Sequence, residues 1–272
     1  MAFRAARHGL PTLAPMPSRP RSLLLGLGLV LALLAGCGDD ASRDRVPGDA
    51  VTQQEAQALA ELLHADFQHG GADFTETAPY ADGALLTLTG KVDFTRSIGT
   101  AQAVTSYTDG RPQETRTLFF TPTDIWFGGV PGLTEALAAA RLPAASFVRR
   151  PLATSVEGSS PQLLDVLARL VLNLSARTGD DPSAFLDGKY TWQGQRSING
   201  HLASVYRLAS GPTVAVSASD HLLLQYVTPL PDQQFQVTIT LSDHGARGVD
   251  LPADADALNA AAHPEIAGQL GV

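Results

Sequence analysis

The chain has one cysteine, two methionines, two tryptophans and no excess of basic charge, and each shortage removes a class of function. A single thiol can neither staple a small secreted fold nor build a cysteine-cluster metal site. Lys and Arg number 19 against 27 Asp and Glu, a formal charge of −8, so no basic surface is available to neutralise nucleic-acid phosphates. The adjacent cations Arg149 and Arg150 are flanked by apolar residues and Pro151, which sets them apart from a phosphate-binding run. Motifs of chemistry are missing as well. His64 and His69 are five apart, on different faces of a helix, and with His201, His221, His244 and His263 they form no His-Glu-x-x-His pattern; they read as solvated or capping residues. There is no Gly-x-Ser-x-Gly elbow, and Glu157-Gly158-Ser159-Ser160-Pro161 reads as a loop before a helix. Asp180-Asp181-Pro182-Ser183 reads as a helix-start turn, lacking the spaced oxygens of a calcium loop. Gly128-Gly129 is followed by Pro131, so no phosphate cradle forms. The expectation is a protein without catalytic residues, metal or cofactor.

What is present begins at the N-terminus. Arg19 and Arg21 precede a Leu-rich run, Ser22 to Ala35, that ends in Leu34-Ala35-Gly36-Cys37. The run is roughly 14 residues, short of the ~18 needed to span a bilayer. A positive n-region, a short apolar segment and small residues before a cysteine make a lipoprotein signal, with cleavage before Cys37 and acylation of its thiol. Met16 precedes a more ordinary signal than Met1 does, so Met16 is the alternative start. Residues 1–36 are thus assigned to the signal peptide, and 37–50 to the acylated cysteine and a tether, since Gly38 to Asp49 has almost nothing to bury. Loss of residues 1–36 removes four Arg and no acid, taking the formal charge to about −12. Two or three acyl chains hold a protein stably to a membrane. The expected place is therefore outside the cell membrane, anchored to its outer face.

Residues 51–272 read as one domain. Thr52 with Glu55 three residues on predicts a capping box, and Ala58, Leu59, Leu62, Leu63 and Phe67 follow at helical spacing up to His69. From Ala84 to Phe94 the period is two, with Leu86, Leu88, Val92 and Phe94 on one face. Further strands are predicted at 100–108, 114–121 and 124–127, then helices at 133–140 and 161–176, the second with a stripe of Leu163, Leu167, Leu170 and Leu174. Strands resume at 188–196, 201–208, 213–217, 222–228 and 234–241, the last alternating Phe235, Val237, Ile239, Leu241. Helix, meander, helices, meander argues for an α+β fold with helices gathered on one face of a large antiparallel sheet. The apolar face of that sheet either packs as an ordinary core or lines a cavity; periodicity does not distinguish the two.

In this order of elements the chain resembles the LolA/LolB-like lipoprotein-carrier fold, and within it the actinobacterial LppX/LprA/LprF/LprG-type lipoproteins. The resemblance rests on the strand 85–94, on the 118–127 stretch with Trp126, on the central helices and on the late runs 224–229 and 236–243, all on an acylated chain. It implies a strongly curved antiparallel sheet, a half-open β-barrel, with helices covering its concave face and an apolar cavity beneath them. The implied ligand is the acyl part of a lipid, glycolipid or lipoprotein such as a palmitoyl chain, with a membrane transporter or receptor as a further partner. Cavity candidates are Leu86, Leu88, Phe94, Trp126, Leu163, Leu167, Leu170, Leu174, Phe235, Val237 and Ile239. A 16-carbon chain exposed to water costs on the order of 12 kcal/mol, which is the reason a carrier would need such a hollow. A sensor of the same fold, binding the exported domain of a membrane protein, is the alternative.

Overall fold

The computed structural model describes residues 45–80, 83–153, 162–230 and 235–272, all within one compact unit, Asp44–Val272. The signal peptide, Cys37, the first part of the tether and the 157–161 loop lie outside the described residues. Among the described residues no helix is long and apolar enough to cross a membrane.

Helix α1 (Gln53–His69) starts as its sequence dictates. The Thr52 hydroxyl accepts from the Glu55 N–H at 3.3 Å while the Glu55 carboxylate accepts from the Thr52 N–H at 2.8 Å, so two orphan donors are satisfied reciprocally. Gly70, at φ 90°, ends the helix in the left-handed conformation. Then come β1 (Gly71–Tyr80), β2 (Ala84–Asp93), β3 (Ile98–Tyr107), β4 (Glu114–Phe120), β5 (Asp124–Gly128), α2 (Leu133–Ala140), β6 (Phe147–Pro151) and α3 (Leu163–Leu172). A 3-10 turn at Pro182–Phe185, capped by Asp181, precedes β7 (Thr191–Ile198), β8 (His201–Arg207), β9 (Thr213–Ser217), β10 (Leu223–Pro229) and β11 (Gln236–Ser242). Strand β12 (Ala257–Asn259) and α4 (Pro264–Gln269) close the chain.

The twelve strands make one sheet in the order β12-β6-β5-β4-β3-β2-β1-β11-β10-β9-β8-β7. Every pairing is antiparallel except β12 with β6. Strand β1 is the join: it pairs with β2 on one side and β11 on the other, uniting the two meanders. The α+β class and the two meanders agree with the sequence reading. Strands β1, β6 and β12 and helix α4 were not anticipated, and α3 is shorter than the predicted 161–176 span.

Alternation sends one set of side chains from every strand into a single core. Cross-strand register places Val214, Tyr226, Ile239, Glu76, Leu88 and Ala103 in one row across β9, β10, β11, β1, β2 and β3. Phe74, Phe94, Leu118, Phe120, Ile125, Val237 and Leu241 are buried on the same face, as is Leu167 from α3. A smaller cluster, Ile198, Ala203, Val205, Ala215 and Leu224, lies on the opposite face at the β7–β10 end.

Residues 45–49, the end of the expected tether, are docked on the edge of β7. The Gly48 N–H donates to the Trp192 carbonyl at 2.8 Å and the Trp192 N–H to that of Asp49 at 2.8 Å. The Arg45 guanidinium lies over the Trp192 ring and pairs with Glu55 at 2.6 Å. These residues read as tether because they are polar and small; what holds them is main-chain hydrogen bonding to a sheet edge, to which composition is blind.

Candidate functional site

Helix α3 organises the candidate site. Its first turn contributes Leu163 and Leu164 to a hollow of about 280 Å³, shared with Leu86 of β2, Ala103 of β3 and Phe127 of β5. Its last turn and the residues after it contribute Leu170, Asn173 and Leu174 to a second hollow of about 410 Å³. That one is completed by Leu59 and Leu62 of α1, Phe185, Tyr190, Val214 of β9, and Leu223 and Tyr226 of β10. One hollow thus lies at each end of α3, and in the sheet β1 and β11 lie between β2 and β10, which line the two.

The N-terminal end of α3 is clamped to β6. Arg150 makes two bonds to the Asp165 carboxylate, Nη1 to Oδ2 at 2.9 Å and Nη2 to Oδ1 at 2.8 Å, and Nη2 also donates to Gln162 Oε1 at 2.6 Å. The Ala153 N–H donates to the same carboxylate at 2.9 Å. Asp165 is fully buried, and a bidentate guanidinium with an added N–H gives a buried carboxylate the partners it needs.

On β1, between the strands that line the two hollows, stands a group of a different kind. Glu76, on β1, is wholly buried, and neither carboxyl oxygen has a hydrogen-bond partner among the described residues. Its cross-strand neighbours are Leu88 and Ile239, both fully buried. Burial alone pushes its carboxyl well above the usual glutamate value. A second buried acid, Asp66 of α1, accepts from the Leu223 N–H at 3.4 Å and faces the His244 Nε2 at 3.6 Å. Burial raises Asp66 against that N–H, with the Asp220 charge adding to the rise. Burial also lowers His244, opposed by Leu223 and Asp220. His244 is thus a buried residue facing an acid, where the sequence reading had a solvated or capping one.

Of the cavity candidates, Leu86 and Leu163 line the smaller hollow and Leu170 and Leu174 the larger. Leu88, Phe94, Leu167, Val237 and Ile239 pack into the core between them, and Phe235 packs half-buried against it. Trp126 departs from the expectation: it alternates to the other face of β5 from Ile125 and Phe127, opposite Phe119 and under the Arg149 guanidinium. The even spacing of apolar residues in 125–127 concealed which of the three turns away. Two further hollows are polar. One is a Thr-rich depression over Gly90, lined by Thr75, Thr89, Thr100 and Thr117, and the other is lined by His69, His201, Asp220 and His244. Among the described residues no group of three or more His, Cys, Asp or Glu is placed to hold a metal ion.

No family model matches the sequence, and no curated protein matches it. Solved structures do. The chain is similar to LprF from Mycobacterium bovis, at 14% identity and a TM-score of 0.44, over 75% of this chain and 98% of that one. It is also similar to an uncharacterized conserved protein from Thermus thermophilus, at 10% identity and a TM-score of 0.36, over 76% of this chain and 98% of that one.

Proposed function

We propose that the chain is an exported lipoprotein, held to the outer face of a membrane through Cys37, that binds acyl chains of a lipid, glycolipid or lipoprotein beneath α3 and carries or presents them without covalent chemistry. The observation that supports this most is the pairing of two hollows that share α3: the larger is walled mostly by Leu and aromatic side chains, and the smaller by Leu86, Leu163, Leu164 and Phe127 together with the polar Thr105, Glu114, Arg116 and Gln162. Small-molecule sites are concave, mostly apolar spaces of about 300–1,000 Å³. The larger hollow, at about 410 Å³, falls in that range.

A curved sheet is the geometry this reading needs, and two arguments favour it. Twisted open sheets rarely pass about ten strands without curling, and this one has twelve. Leu163 and Leu170 are about 10 Å apart along the helix axis. The strands they meet, β3 and β10, are four steps apart in the sheet, or about 19 Å along it. A helix that short reaches both most easily across the chord of an arc, which favours a seat on the concave side.

The test is gentle purification followed by mass spectrometry of extracted ligands, with titration of a fluorescent fatty acid. Acyl lipid should co-purify. Leu170→Trp, which fills the larger hollow, should weaken uptake about tenfold, equivalent to roughly 1.4 kcal/mol. A protein that is empty, takes up no probe and instead retains one membrane protein would displace this reading in favour of the sensor.

A further inference from the structure

Among the core-facing side chains of β1, β2 and β11, Glu76 has no evident structural reason to be there. Phe74 and Ala78 flank it on its own strand, and Leu88 and Ile239 stand opposite on the neighbours. An unpartnered carboxyl in such a place costs stability that a Leu or Val would not. Arg150 shows how the same fold treats a buried acid it keeps for structure: Asp165 receives three hydrogen bonds. Glu76 receives none among the described residues.

Its position in the register is the second observation. From Glu76 the row runs through Ile239 to Tyr226, which lines the larger hollow, and in the other direction through Leu88 to Ala103, which lines the smaller one. The carboxyl therefore stands two strands, about 10 Å, from each. On the α3 stripe, Leu167 sits between Leu163 and Leu170, is fully buried and belongs to the same core cluster as Leu88 and Ile239. Two hollows with apolar walls, the smaller carrying Glu114 and Arg116 and the larger Asn173 and Asp180 among their lining, with one unpartnered carboxyl between them, match a molecule with two acyl arms and a hydrogen-bonding centre.

We infer that Glu76 is the polar recognition group of a two-armed acyl site, its carboxyl donating to an ester carbonyl of a two-chain acyl ester whose chains run in opposite directions, one into each hollow. The assignment rests on the acyl-binding reading and names its ligand class. Burial favours the uncharged acid, which carries one O–H donor, the complement of an ester carbonyl. A buried ammonium would instead require an ionised partner with further hydrogen bonds, and no second acid stands in the row. Because Glu76 is fully buried, the ligand enters by displacing the leucines of α3 that share the core with its neighbours Leu88 and Ile239.

Three lipids and two variants test this on the purified full chain: a diacyl glycerolipid, its dialkyl ether analogue with the same head group, and the one-chain lysolipid. The wild type should bind the diester about five- to tenfold more tightly than the diether, the ratio expected for about one hydrogen bond, and more tightly than the lysolipid. Glu76→Gln, which retains a donor and an acceptor, should keep the ester preference, and Glu76→Leu should lose it while binding the diether as well as the wild type does. In the infrared spectrum, the protonated-carboxyl band absent from Glu76→Gln should shift when the diester binds and stay in place with the diether. Equal binding of diester and diether by the wild type, or an ester preference intact in Glu76→Leu, overturns the role of Glu76 while leaving acyl binding in place. Equal binding of diester and lysolipid overturns the two-armed site. Should none of the three bind, the acyl-binding reading fails and this inference with it.

Discussion

Glu76 and Asp66 share a physical predicament and set the pH behaviour of the fold. Both are buried, and in both burial is the main force raising the carboxyl above its usual value. The folded chain therefore holds these protons to a higher pH than the unfolded chain does. Stability is complete below the ordinary values of 3.8 and 4.5 and is lost as pH rises toward the raised ones. His244 acts in the opposite direction: burial lowers it, so stability is lost as pH falls from its ordinary 6.5 toward the depressed value. Glu76→Gln removes one of the alkaline-side losses. Its urea midpoint should match the wild type near the ordinary glutamate value of 4.5 and exceed it by a margin that grows as pH rises above it. A margin that is constant with pH would mean that Glu76 is ionised in the folded protein and that the orphaned carboxyl has found a partner.

The same residue explains why β1 could not be read from the sequence while β2 and β11 could. In β11 the alternation of Val237, Ile239 and Leu241 is unbroken, and in β2 Leu86, Leu88 and Val92 keep it with Gly90 as the one gap. In β1 the inward series is Phe74, Glu76, Ala78, and a carboxylate at the central inward position removes the two-residue period. Strand β6 was hidden for a related reason: two adjacent arginines carry no two-residue apolar period, and Arg150 is the inward partner of Asp165. By contrast, α1 and α2 were legible to within a residue, since caps and helical period are local signals. Gly90 is where β2 and β3 come closest. A Cβ there would stand inside contact distance of the Thr100 carbonyl oxygen and 2.7 Å from the Ala101 Cα, backbone atoms that cannot yield. Gly90→Ala should therefore cost about 3 kcal/mol in denaturant melts. Gly248→Ala, with nothing within 4 Å of its Cβ and no left-handed backbone, should stay within about 0.5 kcal/mol of wild type. Equal effects would mean that the strands separate at Gly90 without penalty.

For the protein as a whole, acyl binding between α3 and the sheet requires that the twelve-stranded sheet stay folded if that helix is displaced. The sheet is held by continuous ladders through β1 to both meanders, and its core is shared with residues of all four helices, so no one helix supplies it. Helix α3 is attached unequally. At its start, Arg150, Asp165, Gln162 and the Ala153 N–H form one hydrogen-bonded unit with β6. Its last turn borders the larger hollow, where Leu170 is only half-buried. Val171, Leu172 and Leu174 beyond it are buried, so the polar clamp at the start is what sets the two ends apart, and its loss should let the helix open there by local unfolding below the global stability. Asp165→Asn should release the fixed end, at a cost of about 3–5 kcal/mol for breaking a buried pair and leaving the guanidinium unmatched. In hydrogen exchange the loss of protection should be concentrated in 163–172 and 147–151, with β1, β2, β10 and β11 retaining theirs, and acyl-probe uptake should become faster. If protection instead falls together across the central strands, α3 and the sheet are one cooperative unit, and the ligand must reach Glu76 by another route than beneath this helix.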